Sequence, residues 1–193
     1  PGNGAGKGST STYGNGAGYG GQGGRGYPDY AVAVGATYGS ASAPLAPGSG
    51  GGSYPNEDWH VRAGSGGGAI RVEASGTVTV HGVISANGGP ATVGQNAAGG
   101  SGGAIYITCK TFGGSTNGIL RVNGGDGWAN NLSGGGGGGR IAVAYQSLLA
   151  EHNVRFSASP ATVEYASADT TNRWVHAARM GTQWLPDRQL LSL

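Results

Sequence analysis

The chain is poor in the residues that usually build and decorate a globular domain. Charged residues make up 10 % of its 193 positions, about half or less of the usual share. There are two Phe, one Met and one Cys. Large side chains are too few for a broad layered core. A thin core remains open to it, provided that backbones approach closely and small residues fill the gap. A single Cys excludes an internal disulfide. Cys109 follows Ile105-Tyr106-Ile107-Thr108 on the same alternate face as the two Ile, so it reads as a small buried hydrophobe rather than a reactive thiol. No apolar run is long enough to span a bilayer as a helix. The eleven basic residues are scattered, with a net charge of +2, so no basic stripe marks a nucleic-acid or anionic-membrane partner. No signal peptide is visible; a processed secreted chain or a fragment of a longer one would look like this.

What the chain has instead is glycine, 44 residues of it. Average usage is roughly 7 %. Glycine at this level often means disorder, because it loses the most backbone entropy on folding. Here, clean apolar alternation interrupts it. Gly67-Gly68-Ala69-Ile70-Arg71-Val72 recurs as Gly102-Gly103-Ala104-Ile105-Tyr106-Ile107 and again as Gly138-Gly139-Arg140-Ile141-Ala142-Val143. A second element, Gly82-Val83-Ile84-Ser85-Ala86-Asn87-Gly88-Gly89, recurs as Gly118-Ile119-Leu120-Arg121-Val122-Asn123-Gly124-Gly125. The period is 35 to 36 residues, which means stacked supersecondary units.

Each unit reads as strands separated by Gly turns. Ile70, Val72 and Ala74 alternate with Arg71 and Glu73, and Val78 and Val80 alternate with Thr77, Thr79 and His81. Period two predicts one buried and one wet face. The predicted fold is all-β: a Gly-rich β-solenoid, parallel β-helix-like, with an irregular Gly-rich N-terminal segment and a Gly-poor C-terminal cap or tail. Residues 1–65 form the Gly/Tyr/Ser-rich lead-in with one short strand within Tyr30 to Tyr38, residues 66–145 the repeat core, and residues 146–193 the terminal strands and tail. Gln146 to His152 is expected to make a helical turn or two at most. Val154 to Ala158 and Ala161 to Tyr165 are expected as a last pair of strands. For Pro1 to Gly26 three structures compete: an irregular loop over the repeat, a bundle of polyproline-II-like strands, and a flexible linker.

The tail carries Trp174, Trp184, Leu185, Leu190, Leu191 and Leu193. One reading makes it a cap on the last unit. The other docks it on a neighbouring copy and produces a homo-polymer or homo-oligomer, since an uncovered sheet edge accepts a strand.

The succession Tyr38-Gly39, Pro47 to Gly52, Gly66 to Val72, Gly82 to Gly88, Gly100 to Ile107 and the six Gly before Arg140-Ile141-Ala142-Val143-Ala144-Tyr145 resembles the Gly-rich, β-helix-like repeat regions of large bacterial surface and secreted proteins. The resemblance spans about Tyr38 to Tyr165 and implies an extracellular or cell-surface setting and a structural or adhesive role: filament, sheath, matrix fibre or adhesin module. It brings no catalytic residues with it. The Gly-poor, Trp-bearing tail departs from the pattern.

No chemistry-bearing motif is found. The four His (His60, His81, His152, His176) have no ligand spacing, and Gly124-Gly125-Asp126-Gly127 lacks the spacing of a calcium repeat, so no metal or cofactor is expected. Gly134 to Gly139 leads into a strand and lacks the Lys-Ser/Thr ending of a phosphate loop. Glu57 and Asp58 are adjacent, while Glu73, Asp126, Glu151 and Glu164 are isolated, so paired carboxylates are not evident and the chain is not expected to be an enzyme; a polysaccharide-acting β-helix enzyme is the rival class. A carbohydrate-binding module is the third class, with Trp59, Tyr106 and Trp128 as residues on which a sugar would stack. Thr77 and Thr79 are not repeated in a later unit, which argues against an ice-binding array.

Overall fold

In a computed structural model, the described residues are 4–10, 13–26, 32–54, 62–92, 96–128, 133–161, 177–187 and 189–191. They are all-β apart from one 3-10 turn at Gln189–Leu191. The first nine strands come in three successive sets of three, one strand of each set in each sheet, and each set is called a circuit. The first holds β1 (Ala69–Glu73), β2 (Thr77–Thr79) and β3 (Val83–Ser85). The second holds β4 (Ala104–Thr108), β5 (Thr111–Gly114) and β6 (Ile119–Arg121). The third holds β7 (Arg140–Ala144), β8 (Ser147–His152) and β9 (Arg155–Ser157). A last strand, β10 (Thr182–Trp184), follows. Like strands stack in parallel, giving sheets ordered β1-β4-β7-β10, β2-β5-β8 and β3-β6-β9.

The register explains the repeat. Ile70 lies beside Ile105 and Ile105 beside Ile141; Val72 lies beside Ile107 and Ile107 beside Val143. Val78, Phe112 and Leu148 form the inner row of the second sheet, and Ile84, Leu120 and Phe156 that of the third. These rows face one another in a single core. Ile105, Ile107, Phe112, Leu120, Ile141 and Val143 are fully buried there. The matching residues of the first circuit, Ile70, Val72, Val78 and Ile84, are only partly buried, since among the described residues no strand stacks on their other side.

Two expectations fail. Residues 147–152 form β8, not a helical turn: Ser147 and Leu148 pair with Thr111 and Phe112, so stacking outweighs local helix propensity. The third circuit is therefore complete, and it continues to Ser157 where the sequence repeat has faded. Among the described residues of 30–38, no strand forms; Gly35 and Tyr38 instead donate their N–H groups to the carbonyls of Gly16 and Tyr19. Arg155–Ser157 is the strand β9 expected near Val154, whereas 162–165 lies outside the described residues.

The glycines form a second body. Gly14 and Ala17 donate to the carbonyls of Asn96 and Gly99, and Asn15 and Gly18 to those of Ser9 and Gly6, at 2.8–3.2 Å. The carbonyls of Gly14 and Ala17 accept from Gly134 and Gly137, that of Asn15 accepts from Gly52, and Gly16 bonds Gly24 and Gly35. Bonds to any one neighbour thus recur every third residue, and those of arm 14–19 are shared among several surrounding arms. That is the three-residue turn of a polyproline-II helix, not the two-residue alternation of a strand. Among the described residues of 4–26, this hydrogen-bond spacing fits the polyproline-II-like bundle of the three readings.

Arm 97–103 is embedded in the same way. Ala98 and Ser101 donate to Gly52 and Ser49, Gly99 and Gly102 to Gly134 and Gly137, and Gly100 and Gly103 to Gly89 and Ala86. Its carbonyls at Ala98 and Ser101 accept from Gly64 and Gly67. Such spacing leaves no room for side chains between arms. A Cβ built on Gly16 would overlap the carbonyl oxygen of Gly135, and one on Gly99 that of Gly125. The glycine excess is thus a packing requirement, with backbone hydrogen bonds doing the work that apolar side chains do in the three sheets.

Candidate functional site

The arms alternate in direction, so their ends gather away from the strands. Arm 97–103 runs antiparallel to 86–89, 49–52 and 125–128, and parallel to 64–67 and 134–137. Gly52, Gly64, Asn96, Trp128 and Ser133 therefore lie at one tip of the bundle. Trp128 donates its backbone N–H to Ala97 at 3.0 Å, and its side chain is partly exposed. Tyr54, 39 % exposed, and Tyr13 belong to the same end. Buried Asn15 braces this end: its Nδ2 donates to Ser9 Oγ at 2.8 Å and its Oδ1 accepts from Gly26 N–H at 2.8 Å.

At the strand end, the bundle is fastened to the first sheet by Arg140. This side chain is buried. Its Nε donates to the Tyr38 carbonyl at 2.9 Å and its guanidinium to Thr182 Oγ1 at 3.0 Å. It also lies over the Tyr19 ring at 5.3 Å, a cation–π arrangement. Tyr19 packs on Tyr38 with ring centroids 4.6 Å apart. Burial pushes the Tyr19 phenol up to about 12, with the Arg140 charge pulling the other way and Tyr38 adding to the rise. Its hydroxyl lies beside the Ala46 backbone without a hydrogen bond of normal geometry. The Tyr38 hydroxyl bonds Pro47 O at 2.5 Å and Ser49 Oγ at 2.9 Å, and Ser49 receives the Gly6 N–H at 3.0 Å. Neither Tyr19 nor Arg140 stands out as a site residue in the sequence. The available signal was an aromatic inside a Gly run, and an Arg in the repeat position that Ala holds in the other two units.

The sugar-contact candidates are not brought together. Tyr106 lies on the outer face of the first sheet, beyond the opposite end of arm 97–103 from Trp128. Its row runs Arg71, Tyr106, Ala142, Trp184. Tyr106 and Trp184 flank the buried Ala142, about 10 Å apart at ordinary strand spacing, and both are partly exposed. Trp59 lies outside the described residues.

The tail candidates divide. Trp184 closes β10, Leu190 is buried in the core and Leu185 packs against it. Asp187 accepts a hydrogen bond from the Tyr145 hydroxyl at 2.6 Å. Leu191 ends the 3-10 turn. Trp174 and Leu193 lie outside the described residues.

Cys109 is buried, and burial raises its thiol pKa. It lines an open cleft of about 280 Å³ with Ala74, Ser75, Thr108, Lys110 and Gln146. Among the described residues, no group of three or more His, Cys, Asp or Glu is placed to hold a metal ion, and no helix is long and apolar enough to cross a membrane. Glu73 is paired with exposed Arg71. No family model, characterised protein or solved structure matches this chain.

Proposed function

We propose that the chain is a non-catalytic structural module of an extracellular or cell-surface protein: a β-solenoid fused to a glycine bundle, forming a stiff support that presents an adhesive tip. The observation that carries this reading is the gathering of the arm ends, with Trp128, Tyr54 and Tyr13, on a scaffold whose interior arms are tied at each residue by backbone bonds to several neighbours. The backbone that carries these rings is held by those bonds, so little backbone ordering entropy is spent on binding. Aromatic rings with few charges suit a glycan, whose C–H faces stack on them. The low charge of the chain fits a role in contact rather than in acid–base chemistry, and no cofactor enters the reading.

The test is binding of the intact chain to a panel of bacterial and host polysaccharides. Trp128→Ala is expected to abolish retention at the tip, while Tyr106→Ala leaves it unchanged. Retention lost with Tyr106→Ala but kept with Trp128→Ala would move adhesion to the row of Tyr106 and Trp184. No retention of any glycan by the folded chain would remove the adhesive part of the reading.

A filament built through the tail has less support. Leu190 and Leu185 are already engaged with their own core, which favours the cap.

A further inference from the structure

The two ends of the stacked circuits differ. The last circuit is covered in part by its own chain: β10 adds to β7, and Leu185 and Leu190 pack into the core, while β8 and β9 are outermost in their sheets among the described residues. Among the described residues, no strand stacks on the first: β1, β2 and β3 are each the outer strand of a sheet. We propose that a second copy of this chain covers the first circuit, head to head about a twofold axis, so that two chains form one continuous stack.

The free backbone groups make the case. Gly68 accepts from Ala104, and Ala74 donates to Thr108, so the even residues of β1 face β4. The backbone groups of Ala69, Arg71 and Glu73 therefore point to the open side. Gly76 and Val80 bond Thr111 and Gly113, which leaves Thr77 and Thr79 free. Gly82 and Ala86 bond Ile119 and Arg121, which leaves Val83 and Ser85 free.

A twofold axis perpendicular to the stack and passing Val72 reverses strand direction and exchanges the second and third sheets. It sets β1 antiparallel to its own copy and β2 antiparallel to the copy's β3. Arg71 then stands opposite Glu73 of the second copy, and Glu73 opposite its Arg71; Thr77 meets Ser85, and Thr79 meets Val83. In these pairs both members carry free backbone groups. The pairing also matches faces: Val72 meets Val72 and Val78 meets Ile84, inner side to inner side. The half-buried apolar rows would be sealed as Ile105, Ile107, Phe112 and Leu120 are. Charge fits the same register. Arg71 and Glu73 have side chains 53 % and 57 % exposed and pair with each other within one chain; across the axis they exchange partners. A twofold interface needs this self-complementarity.

The experiment is sedimentation velocity of the intact chain over a range of concentrations. A dimer is expected. Arg71→Glu or Glu73→Arg alone places like charges opposite each other twice and is expected to weaken the dimer by about tenfold or more. The double reversal, Arg71→Glu with Glu73→Arg, restores opposite pairs and regains the dimer. Thermal melts of each variant establish that it is folded, which exposed positions favour. A chain monomeric throughout overturns the proposal. So does a dimer indifferent to both single reversals, or one that the double reversal fails to regain. Glycan binding at the tip is a separate readout, so either proposal can fail alone.

Discussion

The Tyr145 hydroxyl donates to Asp187 Oδ1 at 2.6 Å, and the same carboxylate oxygen accepts the Gln189 backbone N–H at 2.9 Å. One side chain thus ties the third circuit to the turn that seats Leu190 in the core. Burial first, and the neighbouring carboxylate second, raise the Tyr145 pKa above the usual phenol range. Tyr145→Phe removes one of the two bonds and is expected to cost about 1 kcal/mol. Asp187→Ala removes both and is expected to cost more. Melting temperatures of the two variants check the order.

Glycine substitutions separate packing from mere composition. A Cβ at Gly99 meets the backbone of Gly125, which cannot step aside without breaking its bonds to Gly100 and Gly136. Gly99→Ala is expected to destabilise by about 3 kcal/mol or more. Gly76 has open space around its Cβ position and no positive φ. Gly76→Ala is expected to be neutral or to stabilise by up to about 1 kcal/mol, since it restricts the unfolded chain. Chemical denaturation of both variants gives the comparison.

An asparagine ladder holds the corner after the third strand of the first two circuits. Asn87 Oδ1 accepts the Asn123 N–H at 2.8 Å, and Asn123 Oδ1 accepts from Ser157 Oγ at 2.7 Å and Ser159 N–H at 3.0 Å. Asn123→Ala strips two donors of their acceptor and is expected to cost about 1–3 kcal/mol. Asn123→Asp keeps an acceptor oxygen and should cost less, as read by denaturant midpoints.

Alkaline pH should unfold the chain through its buried phenols. Tyr19 holds its proton more tightly folded, with a pKa of about 12, than at its ordinary 10.0. The unfolded chain therefore loses that proton first. This contribution is complete below about pH 10 and disappears as pH rises through the folded value. Tyr145 acts in the same direction. Tyr19→Phe is expected to flatten the fall in stability between pH 10 and 12. At neutral pH it is expected to be neutral or stabilising by up to about 1 kcal/mol, because it removes a buried hydroxyl that lacks a well-formed hydrogen bond. Urea titrations across pH would show a slope unchanged from the unaltered chain if this account were wrong.

The sheets were largely legible in the sequence. Ile70, Ile105 and Ile141 repeat at offsets close to the period and alternate with polar neighbours, and they stack as that pattern requires. Residues 147–152 were misread because their pairing with β5 is long-range and leaves no local mark. Of the adhesive candidates, Trp128 sits at the tip, but Tyr106 belongs to a different surface, since linear spacing says nothing of which arm ends meet. Arg140 and Tyr19 were missed for the same reason. They meet across a distance in sequence of more than a hundred residues, through a ring and a guanidinium that have no motif.

The sequence by itself determined that this chain folds into stacked parallel strands, because period-two alternation repeated every 35 to 36 residues can bury its apolar face only against its own copies. It also required close backbone approach, since side chains were too few to fill a wider core. Only the tertiary structure decided where the glycines go. A Gly-rich run has no side-chain pattern to specify a partner, so its hydrogen bonds are assigned when arms from distant parts of the chain are brought together. Among the described residues, the same assembly placed tail residues on one end of the stack, through β10 and Leu190, and no strand on the other.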